Sequence, residues 1–223
     1  MGLSGRSNDM QRNSIKVSMA VVRRLPKYHR YLGELIENDV NRISSKELGK
    51  IMGLTASQIR QDLNCFGGFG QQGYGYNVND LYKEIGSILG LNREYKTVIV
   101  GAGNLGQAIS NYEGFRREGF KLLAMFDVNP RLVGNTIRDI KIHDIMELED
   151  FVRDNGVDIG IICVPKSSSQ EIADILVRAN IRALWNFAPN DVNVPDNIII
   201  ENVSINESLY TLTYLMNEDN LDI

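Results

Sequence analysis

Two groups of residues have the types and spacing to do chemistry. In "VIVGAGNLGQA" the glycines fall as Gly101-x-Gly103-x-x-Gly106, and Asp127 follows twenty-one residues after the last of them. The first glycine of such a run lets the chain turn sharply, the second lets it approach a pyrophosphate, and the third lets a helix pack on a strand. The loop Gly101, Ala102, Gly103, Asn104, Leu105 and Gly106 is therefore a candidate phosphate cradle, backed by the N–H groups and partial positive charge of a helix N-terminus. An acid at Asp127 accepts ribose hydroxyls and repels a 2′-phosphate, which selects NADH and NAD+ over their phosphorylated forms. The second group is Thr55, Ser57, Gln58, Arg60 and Gln61, which face away from Ile59 and Leu63. Arginine forks to guanine and glutamine to adenine, so this face suits base readout in DNA. A solvated helix face is the bland alternative.

A reading face and a cradle each need elements to hold them. In "ISSKELGKIMGLTASQIRQDLNCF", Ser44 or Ser45 caps a helix with Leu48, Ile51 and Met52 on its buried face. Gly53-Leu54 makes the corner, and Thr55 caps a second helix that buries Ile59 and Leu63. This helix–short turn–helix pattern leaves the second helix free to enter a major groove. Upstream, Pro26 starts a helix with Tyr28, Leu32, Leu35 and Ile36 on one face. Downstream, "FGGFGQQGYGYNV" holds five glycines and four aromatics and reads as the β-hairpin wing of a winged helix rather than a flexible linker. Gly73 and Tyr74 would lie in that wing against the DNA backbone. No Lys or Arg occurs between Arg60 and Lys83, so phosphate contacts fall to backbone N–H groups, hydroxyls and residues such as Lys16, Arg23 and Lys46. "NDLYKEIGSILGLN" then reads as an amphipathic helix burying Leu81, Ile85, Ile88 and Leu89.

Beyond residue 90 strands and helices alternate. "YKTVIV" and "KLLAMFDVNP" are strands flanking the glycine run, "DIGIICVP", "ALWNFAP" and "NIIIENV" are further strands, and "TIRDIKIHD" reads as one short strand. "MELEDFVRDN" is a helix, and "SSQEIADILVRAN" is another, opened by Ser168 or Ser169. Such alternation means a doubly wound parallel sheet, whose ligands sit beyond the carboxyl ends of the strands. Val164 and Pro165, with Asn186, Phe187 and Ala188, are candidate pocket lining on that ground. The final helix carries an apolar stripe of Leu209, Leu212, Tyr214 (or Thr213) and Met216, which covers its own sheet or packs on a second subunit.

The chain has 223 residues and a net charge of −4, split as +4 over residues 1–90 and −8 over 91–223. A basic N-terminal half fits a polyanionic partner. Apolar runs such as Ile159–Val164 are far short of the ~20 residues that cross a membrane. Cys65 and Cys163 form no disulfide framework or zinc spacing, so a cytoplasmic location is expected; Cys163 reads as a packing residue, and Cys65, at the end of the second helix, as a packing residue or a thiol sensor. His29 and His143 read as surface or structural groups, and neither has an evident partner for acid–base work. No catalytic or metal-binding set is expected. The rivals are an NAD-dependent oxidoreductase with an unrelated helical N-terminal domain, and a CoA-binding scaffold.

The order and wording of these motifs resemble the Rex family of redox-sensing transcriptional repressors. The likeness runs from Lys16 and rests on "SSKELGKIMGLTASQIRQDLNCFGGFGQQGYGY", "VIVGAGNLGQA", "FDVNP", "NFAP" and the last helix. It implies an α/β chain with a lead-in at 1–15 and a winged-helix DNA-binding domain at 16–90. A Rossmann-like, doubly wound NAD(H)-binding domain at 91–204 and a dimerisation helix at 205–223, exchanged between subunits, complete it. The resemblance further implies a homodimer on palindromic double-stranded operator DNA, released by NADH and permitted by NAD+. It gives Arg60 the leading DNA contact, and makes Tyr112, with Arg30, the couple between the nicotinamide pocket and the DNA-binding domain. Ser204 departs from relatives that carry an acid there, so any charge relay through that position must be made differently.

Overall fold

The computed structural model describes residues 17–67, 69 and 74–219. The chain divides between Asn92 and Arg93 into two compact units. In the first, a short helix α1 (Met19–Val22), capped by Ser18, leads into α2 (Leu25–Glu37), with Pro26 in its first turn, where no N–H is needed. After β1 (Arg42–Ile43), Ser44 caps α3 (Ser45–Met52) through a capping box. Its Oγ accepts from Glu47 N at 3.1 Å, while Glu47 Oε2 accepts from Ser44 N at 2.8 Å. Gly53 ends that helix in the left-handed region at φ +69°, and Thr55 Oγ1 caps α4 (Ala56–Asn64) at 3.1 Å. Strand β2 (Tyr76–Asn77) pairs antiparallel with β1, and α5 (Val78–Ile88) follows, capped by Asn77.

Tyr28, Leu32, Leu48, Ile59, Leu63, Val78, Leu81 and Ile85 make one core among these helices. Two positions expected inside are not: Ile51 is 42% and Ile88 37% exposed. Each sits at the end of its helix, where the apolar face runs past the neighbour that covers the middle turns. The glycine-rich stretch shows its purpose at Gly75, which has φ +70°. A Cβ there would lie 2.6 Å from the Ile43 carbonyl, so only glycine lets the chain close onto β1. The hairpin expected here rests on residues 68 and 70–73, which lie outside the described residues, as do 1–16. Within the described part, β2 pairs across to β1 rather than within its own stretch.

In the second unit β3 (Tyr95–Val100) is followed by α6 (Asn104–Ser110), α7 (Glu113–Arg117) and β4 (Phe120–Asp127). "TIRDIKIHD" is two strands, not one. β5 (Thr136–Ile137) and β6 (Ile140–Asp144) pair antiparallel about Arg138 and Asp139, both at positive φ. A single 3₁₀ turn runs into α8 (Leu148–Asn155), then come β7 (Ile159–Ile162), α9 (Lys166–Arg178), β8 (Ala183–Asn186), β9 (Ile199–Asn202) and α10 (Ile205–Asp219). Helix α9 starts at Lys166 with Pro165 as its N-cap, three residues before Ser168 and four before Ser169, the expected caps. Ser168 lies inside it, and Ser169 turns its hydroxyl back onto the Lys166 carbonyl at 3.0 Å.

The sheet order is β5-β6-β4-β3-β7-β8-β9, parallel except for β5. Alternation sends Val98, Val100, Ala124, Phe126 and Ile162 to one face, and Ile99, Met125 and Ile161 to the other. Both faces are therefore covered, as a parallel sheet requires. The helices and the β1–β2 pair of the N-terminal unit fit a winged-helix domain, and the C-terminal unit is a Rossmann-like, doubly wound sheet. Helix α10 is exposed along residues 205–218, with Leu209, Leu212, Tyr214 and Met216 each more than half open, so it does not cover its own sheet. Among the described residues no helix is long and apolar enough to cross a membrane.

Candidate functional site

The order of the sheet reverses between β3 and β7, and a crevice at such a switch point is where doubly wound sheets bind ligands. The glycine run emerges there. Gly101 takes φ +99°, and a Cβ on it would overlap the Cys163 carbonyl that follows β7. A Cβ on Gly106 would overlap the Gly101 carbonyl, so the helix packs on the turn only because that side chain is missing. Gly103 is different. Its φ of −73° suits any residue and a Cβ there meets nothing within 4 Å, so local packing does not demand glycine. It borders open space at the head of α6, where the N–H groups of Asn104 and Leu105 have no intrahelical carbonyl to reach. The open space at that point and the free N–H groups beside it fit the dinucleotide that the motif implies.

Asp127 ends β4 beside this loop. Its Oδ2 accepts from Ala102 N at 2.7 Å and its Oδ1 from Asn129 N at 2.8 Å, so both carboxylate oxygens are tied into the loops around the glycine run. Gln107, which the sequence did not single out, reaches back to the Ala102 carbonyl at 2.8 Å. The remaining pocket candidates separate into two kinds. Val164 and Phe187 are half-buried and Pro165 is exposed at the start of α9, all at carboxyl ends of strands. Asn186 is fully buried and spent internally: its Nδ2 donates to the Asn190 carbonyl (2.7 Å) and Asn202 Oδ1 (2.8 Å), and its Oδ1 accepts from Ala188 N (3.0 Å). Asn186 and the buried Ala188 therefore shape the rim, and neither side chain is free for a ligand.

In the N-terminal unit, α4 places Ser57, Arg60 and Gln61 on the exposed face. Arg60 Nη1 donates to Ser45 Oγ at 3.1 Å, which holds the guanidinium across α3. Thr55 is committed to its cap, Lys46 is exposed on α3, and Tyr74 is 70% exposed before β2. Lys16 and Gly73 lie outside the described residues. Gln58 is not free: its Nε2 donates to Asp62 Oδ1 at 2.8 Å. Asp62 is the residue the sequence reading missed. It is 1% exposed and takes Arg24 Nε at 2.6 Å, Arg24 Nη2 at 2.8 Å and the Tyr28 hydroxyl at 3.0 Å. Burial alone would raise its pKa, but the bonds from Arg24, Gln58 and Tyr28 outweigh that and hold it below the usual carboxylate range. Its position, three after Ile59 and one before Leu63, already put an acid on the buried face of the helix.

Arg30 is exposed on α2, lies 4.6 Å over the Tyr31 ring and pairs with Glu34 at 3.8 Å. Tyr112 is 67% exposed at the head of α7 and lines a cleft of about 520 Å³ with Phe115, Arg116, Phe120 and Arg138. That cleft lies at the amino end of β4, the opposite end from Asp127. His143 does have a partner, since its Nδ1 sits 2.9 Å from Glu147 Oε2, with the ring packed near Phe126 and Phe151. Both cysteines are half-buried, and burial pushes the Cys163 thiol up to about 12.

A family model described as a CoA binding domain matches residues 92–190, and one described as a putative DNA-binding protein N-terminus matches residues 16–64. The redox-sensing transcriptional repressor Rex of Clostridium perfringens (strain 13 / Type A) is 62% identical over 205 residues, which cover 92% of this chain and 97% of that one. The protein of the same name from Clostridium tetani is 60% identical over 210 residues, covering 94% and 98%. Among solved structures, RSP in complex with β-NAD+ and operator DNA matches with TM-score 0.88 at 60% identity, over 92% of this chain and 94% of that one. RSP in complex with β-NADH matches with TM-score 0.86 at 57% identity, over 92% and 97%. The likeness thus spans the recognition helix and the glycine loop together, and the relatives are named as repressors, not as enzymes. The chain belongs to the Rex family of redox-sensing transcriptional repressors.

Proposed function

We propose that this chain is a cytoplasmic transcriptional repressor that reads the NADH/NAD+ ratio. As a homodimer it holds palindromic operator DNA while NADH is low, and NADH releases it. The observation that carries this reading is the 60% identity, over 92% of the chain, to a repressor solved with both β-NAD+ and operator DNA. In this assignment Ser57, Arg60 and Gln61 read base edges, while Thr55, Lys46 and Tyr74, with Lys16 and Gly73, meet the backbone. The loop from Gly101 to Gly106 offers its N–H groups to the pyrophosphate, and Asp127 accepts the ribose hydroxyls through lone pairs that its loop bonds leave open. Val164, Pro165 and Phe187 wall the crevice. Arg30 and Tyr112 link the nucleotide state to the DNA-binding unit, and α10 joins the two subunits. When bound, the nicotinamide supplies only its redox state, neutral when reduced and cationic when oxidised. A tenfold preference of the released state for NADH corresponds to about 1.4 kcal/mol of coupling.

Fluorescence anisotropy of a labelled palindromic duplex from the chain's own promoter tests this directly. Release by NADH and retention with NAD+ is the expected result. Tight, salt-sensitive binding that ignores both nucleotides would leave a DNA-binding protein without the switch. The CoA binding domain match favours a second reading of the C-terminal unit, in which CoA occupies the same pyrophosphate cradle. Displacement of NADH by CoA in a fluorescence titration would support it. Consumption of NADH with a carbonyl substrate would instead point to an oxidoreductase.

A further inference from the structure

Helix α4 presents Ser57, Arg60, Gln61 and Asn64 at positions i, i+3, i+4 and i+7, all exposed. At 100° per residue these four span one stripe, and Gln58 lies about 110° round the helix from its centre. The stripe and Gln58 are held apart by a buried group. Asp62 accepts from Gln58 and Arg24 Nη2 on Oδ1, and from Tyr28 and Arg24 Nε on Oδ2, so both of its oxygens are fully engaged. Arg24 and Tyr28 are one turn apart at the start of α2, so this cluster fixes the rotation of α4 about its own axis against α2. The Gln58 amide is then turned toward Asp62, gives one of its two N–H donors to that carboxylate, and is held away from the exposed stripe that would face a duplex. Asn64 carries the same donor–acceptor pair on a shorter stem, and among the described residues its side chain has no hydrogen-bond partner.

We propose that Asp62 sets which side chains of α4 reach DNA, and that Asn64, not Gln58, is the amide that specifies a base, with adenine as its partner. Asp62 is a positioning residue, and Asn64 extends the reading face by one turn beyond Gln61. The inference rests on the operator-binding reading above.

Selection from a randomised duplex library, using the full chain and sequencing of the bound fraction, tests both parts. Asn64→Ala is expected to lose at least tenfold of an adenine preference at one position of each half-site while the other positions persist. Gln58→Ala is expected to keep the wild-type pattern. Asp62→Asn is expected to acquire an altered pattern that disappears in the Asp62→Asn/Gln58→Ala double variant, which a merely destabilising change would not produce. An unchanged pattern in Asn64→Ala, or loss of an adenine preference in Gln58→Ala, overturns the proposal. Should Asp62→Asn fail to fold, these two surface variants still decide it. A wild-type chain that enriches no sequence defeats the operator reading itself, and this inference with it.

Discussion

At the scale of single residues, the three motif glycines separate by what their missing side chains avoid. Gly106→Ala sets a Cβ against the Gly101 carbonyl and is expected to destabilise the fold by about 1–3 kcal/mol, seen as a lowered Tm before any ligand is added. Gly103→Ala meets nothing in the folded chain. Its Tm should match the wild type while NADH affinity, measured by nicotinamide fluorescence, falls at least tenfold. Equal Tm losses in both variants would remove the reason for assigning Gly103 to the ligand. The motif already gives these two glycines different roles, close approach to a phosphate for Gly103 and helix packing for Gly106, and the space around each agrees with that division. That space is set by the carbonyl positions of the β3–α6 turn, which spacing alone does not give.

At the scale of elements, hydrogen bonds that cross the sequence decide what periodicity leaves open. Asp62 and Arg24 are 38 positions apart, and no local pattern joins them. Because the folded carboxylate titrates below its unfolded value, its stabilisation is complete above the ordinary carboxylate pKa of about 3.9 and fades as pH falls through the folded value. Asp62→Ala is therefore expected to cost about 3 kcal/mol at pH 7, with the gap from wild type narrowing in acid, as pH-dependent unfolding followed by circular dichroism would record. Thr97, in β3, buries a hydroxyl that has no partner among the described residues. Thr97→Val should raise stability by about 1 kcal/mol in denaturant unfolding. The strands β3, β4, β7, β8 and β9 are legible because apolar runs bounded by turns are local features. The β5–β6 turn is not, since Arg138 and Asp139 take positive φ without the glycine that usually announces it. Ile51 and Ile88 have the right period for a core and lie past its edge, which periodicity cannot see.

For the whole molecule, α10 is the element whose sequence makes least sense in one chain. Ile205, Leu209, Tyr210, Leu212, Tyr214, Leu215 and Met216 are all more than half exposed on a single helix, more apolar surface than a solitary soluble chain ordinarily leaves open. Ending the chain after Ser204 should convert a dimer into a monomer in sedimentation velocity and abolish tight binding to a two-fold symmetric duplex; a truncated chain that still sediments as a dimer would place the interface elsewhere. The sequence left this helix with two destinations, its own sheet or a second subunit, and its exposure eliminates the first. In the same unit, at the carboxyl end of β4, one carboxylate is asked to carry two duties. Asp127 anchors the Ala102 N–H, and in the proposed function it also presents the charge that turns away a 2′-phosphate. A lineage drifting toward a phosphorylated nucleotide would have to discard that charge, and the loop would come loose in the same mutational step. On the proposed reading, nucleotide choice is tied to the integrity of the turn, and changing it would call for a second, compensating substitution.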